Sequence, residues 1–142
     1  MDTYCASPFR HINYDHSRGI RPCCEWTAST PIALDDPDPM QHPFLAEMRR
    51  SMLAGEMIDG CAVCYENERL YGKSERMFFN TTFGRPEDVK CEYVDLGIGN
   101  LCNFKCRMCN SKDSTKWQAD ELLLGHEYHP LVRTRIDDLG IS

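Results

Sequence analysis

"YVDLGIGNLCNFKCRMCN", Tyr93 to Asn110, decides how this chain is read. A short, mostly apolar run, Tyr93, Val94, Leu96 and Ile98, ends in glycines and leads straight into three cysteines within eight residues. A run of that length, with Tyr, Val and Ile and a glycine boundary, predicts a buried parallel strand. The cysteines Cys102, Cys106 and Cys109 follow as a loop. Next comes "SKDSTKWQADELLLG", where Asp113 or Ser114 can cap a helix and Gly125 can end it. Strand, thiol-bearing loop and helix make one βα unit, an architecture that places functional loops at the carboxyl ends of its strands.

Upstream, "SPFRHINYDHSRGIRPCCEW" predicts a hairpin. Phe9, Ile12 and Tyr14 lie on one arm, Ile20 to Trp26 form the other, and Asp15 to Gly19 supply turn chemistry. "TPIALDDPDPMQHP" carries four prolines and three aspartates and reads as a loop. Phe44, Leu45, Met48 and Met52 share one helical face between His42 and about Met57, with Gly60 as the stop. This methionine and aromatic stripe is read as core. A second helix is expected from about Val63 to near Phe79.

The 142 residues suffice for one ordinary domain or two small ones. A net charge of −6, with no run of lysine and arginine, argues against a nucleic-acid backbone as partner. No apolar window approaches a membrane span, and "MDTYCASPFR" has neither the basic start nor the apolar core of a signal peptide. The expected compartment is therefore the reducing cytoplasm, where nine cysteines point to metal or cluster ligation rather than disulfides.

Cys102-x3-Cys106-x2-Cys109, "CNFKCRMC" behind a first strand, resembles the cluster motif of radical SAM enzymes. The resemblance implies a 4Fe-4S cluster held by three thiolates, with its fourth iron open to S-adenosylmethionine, and generation of a 5′-deoxyadenosyl radical. The family often has an aromatic residue before the third cysteine, packed near the adenine. Met108 stands there and is polarizable enough to do the same. A zinc site completed by a distant residue is the alternative, and the 3-plus-2 spacing suits it poorly.

The first half resembles the auxiliary-cluster domains called SPASM and, in shorter form, Twitch. "CASPF", "GIRPCC" and "CAVCYENERLYGKSER" carry that likeness. It implies an auxiliary 4Fe-4S cluster fully coordinated by Cys5, Cys23, Cys61 and Cys64, as in an electron relay or structural centre. The glycine to Pro-Cys spacing is one residue shorter than in those domains, so Cys24 stands as an alternative to Cys23. Such domains more often follow the barrel than precede it. Two cysteine pairs also describe a zinc ribbon. Cys91 is expected to be a half-buried thiol at a strand start. His11, His16, His42, His126 and His129 are expected in turn-like or polar surroundings and outside any ligand set.

Together these readings predict a small α+β iron–sulfur domain over 1–84, a hairpin plus helices, and the first βα unit of a radical SAM (β/α) barrel over 85–142. A full barrel of this kind alternates about six strands and helices and takes on the order of 200 residues, so the chain is expected to be the front portion of a longer enzyme. The resemblance further implies an electron donor such as flavodoxin or ferredoxin, and leaves the substrate open among a peptide, a protein side chain and another cellular metabolite. A non-catalytic iron–sulfur or zinc-binding protein without the complete barrel is the competing reading.

Overall fold

The computed structural model describes residues 2–132. Its centre is β1 (His11–Asp15), which pairs antiparallel with β2 (Gly19–Arg21) and parallel with β3 (Tyr93–Gly97), giving the strand order β2-β1-β3. The hairpin forms where the turn residues place it. Gly19 takes a φ of 81°, a conformation that favours glycine, and the Asp15 carboxylate accepts from the Ser17 and Arg18 amides at 2.9 and 3.1 Å. Its second arm is shorter than the predicted Ile20 to Trp26. Pro22 lacks the amide needed to continue the ladder, and a turn follows.

Every residue of β1 is buried, so both faces of the strand are covered. Ile12 and Tyr14 join the apolar core with Phe9, Ile20, Leu45, Met48, Met52 and Phe79. The alternate positions His11, Asn13 and Asp15 are polar and need partners. Arg21, 2% exposed, supplies several of them. Its guanidinium donates to Asn13 Oδ1 at 2.7 Å, Asp15 Oδ2 at 3.1 Å, and the Cys24 and Trp26 carbonyls at 3.0 and 3.2 Å. His11 clusters with the rings of Phe79 and Tyr93, whose centroids lie 4.9 and 4.8 Å away from its own and 6.2 Å from each other. Contrary to expectation it is a core residue: strand alternation and the packing of Phe79 bury it.

The single turn α1 (Ser7–Arg10) precedes β1, and α2 (Pro43–Leu53) packs its methionine face on the core as predicted. The His42 side chain caps α2 by accepting from the Phe44 amide at 3.1 Å. That helix ends at Ala54 and Gly55, earlier than the expected Met57 and Gly60. The single helix expected between Val63 and Phe79 is two, α3 (Ala62–Tyr71) and α4 (Glu75–Phe83). Gly72 breaks it with a φ of 67°, and Ser74 Oγ restarts it by accepting from the Met77 amide at 3.1 Å.

The strand at Tyr93–Gly97 exists as predicted, but its setting differs. It joins the sheet of the first segment, so one sheet spans the 84/85 boundary, and the Lys90 and Glu92 amides extend the pairing to the Phe9 and Arg10 carbonyls. One edge of β3 is thus covered by β1. Its apolar side chains are not buried: Leu96 is 42% exposed and Val94 is similarly open, while Tyr93 is exposed on one side and packs on His11 and Phe79 on the other. Beyond the loop, Ser114 caps a turn of 3-10 helix at Thr115–Trp117 that runs into α5 (Gln118–Leu123). Gly125 closes this segment at a φ of 71°. No helix among the described residues is long and apolar enough to cross a membrane.

Candidate metal centres

Cys5, Cys23, Cys61 and Cys64 come from three separate segments and line one cavity, together with Gly60, Glu25, Glu75, Arg76 and Phe79. Each reaches it by local structure. Cys5 precedes α1, where the Ser7 amide donates to its sulfur at 3.4 Å. Cys23 follows β2, and the preceding carbonyl of Pro22 is fixed by the Ser7 hydroxyl, 2.6 Å away. Cys61 ends a 3-10 turn, its amide on the Ile58 carbonyl at 2.9 Å, and Cys64 lies in the first turn of α3. Cys24 is exposed and outside the cavity lining, so the placement favours Cys23 of the two neighbours.

Electrostatics at the cavity are those of thiols crowded out of water. Burial pushes Cys5 and Cys61 up to about 12, and mutual repulsion adds to it, with Cys64 acting on both and Cys61 on Cys5. Cys23 and Cys64 are raised as well, burial again the main cause. The Ser7 amide, which donates to the Cys5 sulfur, opposes the shift there. The set therefore stays protonated until a cation displaces the protons, while a donor suited to a thiolate is already in place at Cys5.

Among the described residues no three His, Cys, Asp or Glu side chains are grouped as a single metal ion requires. Convergence on a shared cavity and the lack of such a group are compatible for a polynuclear centre. Its thiolates each bond a different iron, and they stand farther apart than sulfurs held about 2.3 Å from one ion. Four cysteines from three segments around one cavity are the donor set a four-iron cluster takes, one thiolate to each iron.

The second set sits on the loop between β3 and the 3-10 turn. Asn100, fully buried, fastens the base of this loop. Its side-chain amide donates to the Ser111 and Pro130 carbonyls at 3.0 and 2.9 Å, and its Oδ1 accepts from the Val132 amide at 2.8 Å. Ser114 Oγ holds the Phe104 carbonyl at 2.6 Å, and the Thr115 amide holds that of Asn100 at 2.9 Å. Within the loop the Phe104 amide donates to Cys102 Sγ at 3.4 Å and the Cys109 amide to the Cys106 carbonyl at 3.0 Å. Cys102 and Cys109 are half-buried and Cys106 is exposed. Met108 is 96% exposed and packs on nothing. An open cleft beside the loop is lined by Cys102, Leu101, Asn103, Phe104, Thr115 and Lys116, without the other two thiols. The three sulfurs thus share a loop fixed at its base and open at its tip.

Cys91 is exposed rather than half-buried. His129 is tied to the base of the loop: its amide donates to Ser111 Oγ at 2.8 Å, and its Nδ1 lies 3.3 Å from that oxygen.

Gly60 and Arg76 are the parts of the first site that sequence reasoning missed. A Cβ on Gly60 would lie 2.3 to 2.6 Å from three atoms of the buried Trp26 ring, so the ring seals the wall beside Cys61. Replacing Gly60 with alanine should destabilise the protein by about 2 kcal/mol or more through overpacking. It should also weaken metal retention by displacing Cys61, a pairing that urea denaturation and metal counts on one sample would check.

No family model matches this chain, and no curated protein or solved structure matches it either.

Proposed function

We propose that this chain carries the cluster-binding segments of a radical SAM enzyme, with an auxiliary four-iron cluster on Cys5, Cys23, Cys61 and Cys64. The SAM-binding cluster is assigned to Cys102, Cys106 and Cys109. The observation that carries the reading is the convergence of four thiols from three segments on one cavity, one of them, Cys5, already accepting from a backbone amide. A cluster on the second loop would supply an open iron for S-adenosylmethionine and the electron that cleaves it. The chain's own contribution there is a base fixed by Asn100 and Ser114, with Met108 free at the tip to meet the adenine. An auxiliary centre with four thiolates has no open iron and acts as an electron relay or a structural support. The cytoplasm is the compartment this chemistry favours. A flavodoxin or ferredoxin is the fitting electron donor, and a peptide or protein the fitting substrate class.

Anaerobic reconstitution with iron and sulfide should load about eight irons and eight sulfides per chain, in two four-iron clusters. Elemental analysis and ultraviolet–visible spectra check it. Zinc at one or two per chain, with no iron uptake, would replace this reading with that of a zinc-binding module.

A further inference from the structure

We propose that Arg76 tunes the reduction potential of the four-thiol centre, holding a fixed positive charge against the cluster. This rests on the auxiliary-cluster reading above. Arg76 is 6% exposed and is the one cation among the residues lining the cavity. Its guanidinium is clamped on several sides. Nε donates to Glu68 Oε1 at 2.9 Å and a terminal nitrogen pairs with the other Glu68 oxygen. The remaining terminal nitrogen donates to the carbonyls of Asp2 and Tyr4, both at 2.7 Å. The group also lies 5.7 Å from the centre of the Tyr65 ring. Tyr4 and Tyr65 are the chain neighbours of Cys5 and Cys64, so one side chain braces two of the four thiol segments.

A buried arginine–glutamate pair is a poor source of stability, because desolvation offsets the attraction. The cavity gives it a second role. A four-thiolate four-iron cluster is anionic and gains one more negative charge on reduction. A guanidinium beside it stays protonated and stabilises the reduced state more than the oxidised one, raising the potential. Glu68 partly cancels that charge, and Glu25 and Glu75 on the cavity wall oppose it.

The test uses the full chain with Cys102, Cys106 and Cys109 all changed to alanine, so that one cluster remains, reconstituted and titrated electrochemically under electron paramagnetic resonance. Arg76→Met should move the midpoint of the clusters that load to more negative values, Arg76→Lys should stay near the parent, and Glu68→Gln should move it to more positive values, each read per cluster loaded. A purely bracing role would lower iron content without opposite shifts. Loaded Arg76→Met and Glu68→Gln proteins with the parent midpoint would overturn the inference. Should Arg76→Met fail to load, Glu68→Gln decides alone: a positive shift supports the role of Arg76 and an unmoved midpoint refutes it. An iron-free parent would instead remove the auxiliary centre itself, and the inference with it.

Discussion

Changing Cys102, Cys106 and Cys109 together to alanine should lower iron and sulfide from about eight to about four per chain, and changing Cys5, Cys23, Cys61 and Cys64 should do the converse. The expectation comes from where the two sets sit on the β1–β3 pair. The first cavity shares Phe79 with His11, at the end where β1 and β3 begin together. The second loop leaves from the other end, after Gly97, where the His16 amide closes on the Gly97 carbonyl at 2.7 Å. Five paired residues separate those ends, a strand length of about 13 Å. The fastenings are separate too: Asn100, Ser111 and Ser114 hold the loop, while Ser7, Trp26 and Arg76 hold the cavity. Losing one thiolate set should therefore leave the other loaded. Cys24→Ala should leave both intact. Iron and sulfide counts after gel filtration read all three cases, and loss of all iron from the first variant would mean the sites form one coupled unit.

The local elements were legible because their signals are local. Asp15 and Gly19 made the hairpin turn readable, the apolar spacing of Leu45, Met48 and Met52 gave α2, and Ser114 marked the start of its helical segment. Gly72 was the boundary overlooked between α3 and α4, since a lone glycine in a helical pattern costs only about 1 kcal/mol and does not by itself announce a break. What propensity cannot carry is pairing across some eighty residues. The apolar run at Tyr93 gave the existence of β3, yet nothing in it named β1 as partner. The polar face of β1 was invisible for the same reason: His11, Asn13 and Asp15 look like surface residues until Arg21 and Phe79 fold over them. At the cavity, cysteine spacing nominated the four thiols, and proximity alone separated Cys23 from Cys24. Arg76 and Gly60 carry no motif of their own. Their roles arise from Glu68 and Trp26, which only the packing of α3, α4 and the Pro22–Trp26 turn brings near.

Reduced with dithionite in the presence of S-adenosylmethionine, the 142-residue chain should release little or no 5′-deoxyadenosine, even with both clusters loaded. Productive cleavage needs the sulfonium held in one orientation beside the cluster and kept from water, and positioning of that kind contributes several orders of magnitude in rate. The second loop offers a base and little else. Cys106 is exposed, Met108 and Phe104 face solvent, and the cleft beside Cys102 is open and lined by a single one of the three thiols. Val94 and Leu96 on β3, with Leu122 to Leu124 near the end of α5, present apolar surface that no described element covers. A cluster loaded on this loop would leave one iron open to the cofactor's amino and carboxylate groups, but none of the described residues encloses the ribose and adenine. Chromatography of the quenched mixture for 5′-deoxyadenosine is the measurement. Repeated turnover would show that the loop alone supplies the orientation assigned here to surrounding structure, and Met108→Ala would then be the first variant to test for its share.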